Sequence, residues 1–291
     1  MAYRGGMLGS LDSLSEFSHL SSAVSRVSEA IQEARHFFQK IDPSFSVEIE
    51  GRLGFFSEKE FVSDVGKETF ESILNMLESY PGWHNVSQWI ETQDVYYNID
   101  LPSGIDGVKN VRTQVRTSVG LDSEKKMFLQ HSVKKKLSSV DMDAVSLGSC
   151  VSGCLPVARE KLKGPVGVRV GIAVEQHVPN ELLPIAVVPT MVRIKQRKRF
   201  ALNSLGVDGA VFCVDTTIVF SGCSKSEAEQ KQASSQYASY EVEVECLDPR
   251  AYLQSCNQQE SMLALSILLK LHDFLAFLNP HTSVTLSPVV S

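Results

Sequence analysis

The sequence predicts an α+β fold, a closed eight-stranded antiparallel β-barrel with helices packed outside. Two observations carry that prediction. From Ser44 onward, polar and apolar residues alternate through segments separated by turn residues. The charges on those segments are also sorted by sign, with acidic strands at both ends of the run and basic strands between them. An exposed sheet usually mixes Lys and Glu to gain cross-strand pairs, so sorting by sign points to a shared polar interior.

The elements follow in chain order. Residues 1–14 are rich in Gly and Ser and read as a loose tail, leaving residues 15–291 as a single domain. Apolar residues recur at helical spacing from Leu14 to Lys40 (Phe17, Leu20, Val24, Val27, Ile31, Ala34, Phe38). The period becomes two from Ser44 to Phe55, and a second helix is expected from Lys59 to Glu78, before the Pro81-Gly82 turn. Strands are expected at Gln88–Asp100, Val111–Val119, Met127–Val140, Val166–His177, Ile185–Phe200, Ala210–Phe220 and Tyr237–Cys246. The polar stretch from Gly222 to Gln236 reads as a flexible loop, and residues 258–279 as an apolar helix stopped by Asn279-Pro280.

Composition excludes several function classes. A net charge of −6 does not fit a surface that grips nucleic acid along its length, so only an end would be handled. The six cysteines form no CxxC pair, and Cys150-x3-Cys154 lacks a second half at zinc spacing; they are expected to be reduced and unpaired. His131, His177 and His272 have no partner at zinc spacing, and there is no Gly-rich phosphate loop. No apolar leader follows Met1, and the apolar run from Met262 to Leu278 is interrupted by Ser266, Lys270, His272 and Asp273. A soluble intracellular protein with no membrane partner is expected.

Side chains alternate faces along a strand, which puts Glu48, Glu50 and Arg52 on one face and Glu241, Glu243 and Glu245 on another. Carboxylates gathered on two such faces repel unless divalent cations hold them, and Mg²⁺ and Mn²⁺ prefer carboxylate oxygen. Arg112 and Arg116, Lys134 and Lys136, and Arg193, Lys195, Arg197 and Arg199 supply the opposite sign on other strands. Such a set could cradle a triphosphate. The ordinary alternative is an antiparallel sheet with one wet face. The lysine run Lys134 to Lys136 and the cluster Lys195 to Arg199 could also be nuclear-import signals, although strand alternation favours interior positions.

Two segments, VEIEGRLG at 47–54 and YEVEVE at 240–245, resemble the first and last tunnel strands of the fungal and protozoan RNA 5′-triphosphatases of the triphosphate tunnel metalloenzyme family. Between them, Arg169 to Glu175 resembles an Arg-x-Ser-x-x-x-Glu strand, Arg193-Ile194-Lys195-Gln196-Arg197 an Arg-x-Lys-x-Arg strand, and Asp215-Thr216-Thr217 the Asp-x-Thr strand. The resemblance covers about residues 44–246. It departs at Gly167, where the family usually has Asp, and at Cys213, where it has Arg.

The resemblance implies roles. Glu48, Glu50 and Glu245 would ligate Mg²⁺ or Mn²⁺, with Glu241 and Glu243 holding water or supporting the ligands. Lys195 and Arg197 would clamp the γ-phosphate together with Arg116, preferred over Arg112 because its separation from the Lys134 strand fits a turn of family length. Glu175 would orient the attacking water, or simply pair with a nearby base, and Lys134 or Lys136 would touch a phosphate oxygen. Asp215, Thr217 and Arg193 would hold the cations in place, and Arg199 would stand at the tunnel mouth. The implied reaction is γ-phosphate hydrolysis at the 5′-triphosphate end of nascent RNA, the first step of mRNA capping, in the nucleus and beside an RNA guanylyltransferase. NTP hydrolysis could accompany it. Tripolyphosphate, thiamine triphosphate and binding without turnover are the alternatives.

Overall fold

The computed structural model describes residues 20–38, 45–57, 60–100, 112–121, 127–143, 166–179, 188–201, 212–250, 253 and 259–278. The predicted tail at 1–14 lies outside them. In chain order come α1 (Ser21–Phe38), β1 (Ser46–Phe56), β2 (Phe61–Val62), α2 (Lys67–Ser79), β3 (Asn85–Val86), β4 (Ile90–Asp100) and β5 (Arg112–Leu121). They are followed by β6 (Met127–Asp143), β7 (Val166–His177), β8 (Met191–Ala201), β9 (Phe212–Gly222), α3 (Lys225–Ser234), β10 (Ser239–Cys246) and α4 (Gln259–Leu278).

The architecture is α+β: a curled antiparallel sheet with helices against its outer face. The strand order is β10-β9-β8-β4-β5-β6-β7-β1-β2, β3 pairs with β8, and β10 also pairs with β1. One bulge, between Lys136 and Ser138, shifts the β6–β7 register.

Alternation explains which face is wet. On β1, Ile49 and Leu53 enter the core, and so do Val168, Val170, Ile172 and Val174 of β7 and Val242, Val244 and Cys246 of β10. They pack against Val27 and Ile31 of α1, Phe70, Ile73 and Leu77 of α2, and Leu263, Ile267, Leu271 and Phe274 of α4. Helix α4 crosses β1 closely because Gly51 has no side chain; a Cβ there would lie 2.6 Å from Leu271 Cδ1. By length and composition alone α4 could span a membrane. Its Leu263, Ile267, Leu268, Leu271 and Leu275 are instead buried in the core.

The departures from the sequence expectation that matter most concern α3, α2 and β8. The flexible loop expected between Gly222 and Gln236 contains helix α3. Ser224 accepts from the Glu227 amide while Glu227 Oε2 accepts from the Cys223 amide, a reciprocal cap. Ion pairs Lys225–Glu229 and Lys231–Glu227 brace its exposed side, and Ser235 closes it in the left-handed region with φ 51°. The second helix begins at Lys67 rather than Lys59, because Phe61 and Val62 fold back to pair with Phe56 and Phe55. Strand β8 begins at Met191; residues 185–187 of the expected strand lie outside the described ones.

Candidate active site

The wet face of the sheet collects the charged residues. Register places Glu50 opposite Glu245 and Arg52 opposite Glu243 across β1 and β10. On the far side of β10, Cys213, Asp215 and Thr217 of β9 stand opposite Glu245, Glu243 and Glu241. Strand β8 then sets Arg199 opposite Asp215 and Arg197 opposite Thr217, and Arg193 lies opposite Asp94 of β4. On the other side of β1, Glu175 of β7 lies opposite Lys134 of β6, and Arg169 opposite both Arg52 and Asp141. Directly opposed residues share a face, so one surface holds all of them.

Acids and bases interlock there. Lys134 Nζ lies 2.6 Å from Glu48 Oε2 and 3.5 Å from Glu50 Oε1. Arg52 bridges Glu50 at 2.9 Å and Glu243 at 2.8 Å. Arg193 donates to Glu241 at 2.8 Å, and Lys195 pairs with the buried Asp94. Arg199 forks onto Asp215 at 2.8 and 2.7 Å and reaches Glu245 at 2.6 Å, while Arg197 reaches Asp215 at 3.1 Å. Asp215 is 1% exposed and takes both arginines; Thr217 is equally buried, and its hydroxyl has no hydrogen-bond partner among the described residues.

Burial and crowding set the protonation balance. Burial first, then Asp215 and Glu48, push the Glu245 carboxyl up to about 7 against the pull of Arg199. Burial and Glu48 likewise raise Glu50, although Arg52 and Lys134 oppose them. Lys195 is lowered by burial in spite of Asp94. Burial raises the Cys213 thiol, so it stays protonated, with Sγ 3.7 Å from Glu245 Oε2.

A hard divalent cation fits this donor set. Glu48, Glu50 and Glu245 offer only carboxylate oxygens, and Glu48 raises both of the others, a cost that a cation would remove. Cys213, Asp215 and Glu245 also present atoms within 4.8 Å of one another.

The structure thus brings together Glu48, Glu50, Glu241, Glu243, Glu245, Asp215, Thr217, Arg193, Lys195, Arg197, Lys134 and Glu175. Lys136 is two residues beyond Lys134 and opposite Ala173. Arg116 lies on β5 opposite Tyr96 and Ser132, and Arg112 opposite Asp100; their side chains fall outside the described ones. Arg199 is tied to Asp215 and Glu245. Sequence reasoning gave no role to Arg52, Asp94 or Cys213. The period-two spacing of Arg52 with Glu48 and Glu50 was the available signal for the first, whereas Asp94 is one of three acids in its strand, with Glu91 and Asp100, and nothing in their spacing singles it out.

No family model matches the chain, and no curated protein matches it. Among solved structures, the RNA triphosphatase Pct1 of S. pombe in complex with the Spt5 CTD superposes with a TM-score of 0.51 at 14% identity, covering 87% of this chain and 94% of that one. Pct1 alone gives 0.48 at 13%, covering 85% and 89%. The Mimivirus capping enzyme triphosphatase gives 0.45 at 11%, covering 88% and 97%. The chain has the fold of Pct1.

Proposed function

We propose that the chain is a metal-dependent hydrolase that removes the γ-phosphate from the 5′-triphosphate end of RNA, leaving a diphosphate end. The observation that carries this reading is the register that sets Glu50 against Glu245 inside a ring of Lys and Arg. Pairing of β10 with β1 supports a closed eight-stranded tunnel around that ring. A triphosphate carries several negative charges and needs both a metal and cationic donors to be held and cleaved. Bound at Glu48, Glu50 and Glu245, Mg²⁺ or Mn²⁺ would polarise the terminal phosphate and neutralise its charge.

The chain's own groups do the rest. Arg197 and Lys195 hold the γ-phosphate, whose negative charge offsets the burial that disfavours charged Lys195. Arg193 fixes Glu241, and Arg52 fixes Glu243, so those carboxylates keep their orientation as substrate arrives. Arg199 clamps Asp215 and Glu245 as one unit. Glu175 orients the attacking water, Lys134 turns from Glu48 toward a phosphate oxygen, and Arg116 and Lys136 add positive charge. A nuclear location and hand-over of the diphosphate end to an RNA guanylyltransferase complete the proposal.

The test is phosphate release from 5′-triphosphate RNA with Mg²⁺ or Mn²⁺, in competition with tripolyphosphate. Release by wild type that Glu50→Ala and Glu245→Ala abolish supports the reading. Release that survives both substitutions defeats the metal mechanism, and strong preference for tripolyphosphate reassigns the substrate.

A further inference from the structure

At one end of the polar face the sheet carries two glycines directly opposite each other, Gly54 of β1 and Gly167 of β7. They continue the rows of Glu50 and Arg52 and of Gly171 and Arg169, so they face the same interior. The space their side chains would occupy is filled. A Cβ on Gly54 would lie 2.1 Å from the Val62 carbonyl oxygen and 2.6 Å from the Phe61 ring. A Cβ on Gly167 would lie 2.2 Å from the Phe56 ring.

The segment that brings those rings inward is fastened on both sides. Phe55 and Phe56 pair with Val62 and Phe61, and the turn is closed by the Ser57 amide donating to the Glu60 carbonyl at 2.8 Å. Toward β7, the Arg169 guanidinium lies 4.8 Å over the Phe61 ring and is itself forked onto Asp141. The Phe56 and Phe61 rings meet edge to face at 5.5 Å. Toward β10, Ser63 donates to Glu241 at 3.4 Å, the Val65 amide donates to the Tyr240 carbonyl at 2.8 Å, and Asp64 accepts from the Tyr240 amide at 3.0 Å. One short segment therefore spans from β7 across β1 to β10.

We infer that the paired rings of Phe56 and Phe61 are a stopper that closes one end of the tunnel, so a phosphate chain enters only from the opposite end, terminus first, and is cut only at its terminal phosphate. The inference rests on the hydrolase reading above. In the step it constrains, water oxygen bonds to the terminal phosphorus and the bridging P–O bond breaks. The bridging oxygen stays with the shortened chain, and the water's protons go to orthophosphate and solvent.

The experiment resolves, on gels, the products formed from linear polyphosphate of one defined length, beside 5′-triphosphate RNA as the reference substrate. Wild type should give only orthophosphate and a ladder of chains shortened by one phosphate at a time. The Phe56→Ala/Phe61→Ala variant should still act on triphosphate RNA and should also release longer internal fragments. Phe56→Ala alone, which removes a half-buried ring, serves if the double variant does not fold by circular dichroism. Longer fragments from wild type overturn the stopper while leaving the hydrolase reading intact. Folded stopper variants that keep the wild-type ladder also overturn it. No phosphate release by wild type from either substrate overturns the hydrolase reading, and the inference with it.

Discussion

Glu50 and Glu245 face each other across neighbouring strands, and burial raises both carboxyls above their usual range. Two like charges directly opposed in a sheet destabilise it unless something compensates. Arg52 and Lys134 beside Glu50 and Arg199 beside Glu245 supply part of that compensation, and the divalent cation proposed above would supply the rest. Removing either should lower phosphate release by about 10²–10³-fold, measured by orthophosphate production with the fold checked by circular dichroism.

The same pair makes stability depend on pH. The folded carboxyl of Glu245 sits near 7 against 4.5 for the free group, so the folded state holds the proton more tightly. Its contribution is fully present below about pH 4.5, declines as pH rises through 7, and is then absent. Metal-free Glu245→Gln should therefore match wild type in Tm near pH 4.5 and exceed it near pH 8. Adding Mn²⁺ at pH 8 should stabilise wild type more than the variant.

Arg199 donates from Nε and Nη2 to Asp215 and from Nη2 to Glu245, joining the two carboxylates along the edges of one planar group. Lysine cannot reproduce that fork. Arg199→Lys should weaken divalent-metal binding by about 10–100-fold, the usual cost of losing a group that orients ligands, read by isothermal titration of Mn²⁺.

Thiol reactivity should sort the described cysteines. Cys223 is exposed, whereas Cys213 and Cys246 are buried and their thiols are raised by that burial, Cys246 to about 12. In the native protein iodoacetamide should alkylate Cys223 first and leave Cys213 and Cys246 unmodified until denaturant is added, as peptide mass mapping would show.

Gly51→Ala tests the approach of α4 to β1. The new Cβ would meet Leu271 and Ile267 at 2.6 and 3.0 Å, so the variant should lose about 1–3 kcal/mol of stability. Urea unfolding measures this directly.

Much of the site was legible because a strand converts spacing into direction. Glu48, Glu50, Arg52, Glu241, Glu243 and Glu245 fall on one face by counting in twos, and the structure places them there. What counting could not supply was the partner across each strand. Arg199 looked peripheral because its bond to Glu245 depends on the stagger of β8, β9 and β10. Lys195 looked like a free phosphate ligand because its pairing with Asp94 links distant segments. Helix α3 was hidden for a different reason: it buries little beyond Ala228, so its signal lay in its caps and charge pairs rather than in apolar periodicity. The stopper was hidden by two glycines whose meaning is the space they leave for Phe56 and Phe61.

The union of β1 with β10 has a consequence for biosynthesis. Strand β1 emerges from the ribosome early, yet one of its edges has its partner only when the segment ending at Cys246 has been made. Until then Glu50 and Arg52 sit beside an unpaired backbone edge, the kind of surface that recruits another chain. Contacts between such distant segments also slow folding. The nascent protein therefore keeps that edge open, guarded by its own charges, for longer than a protein of local contacts would.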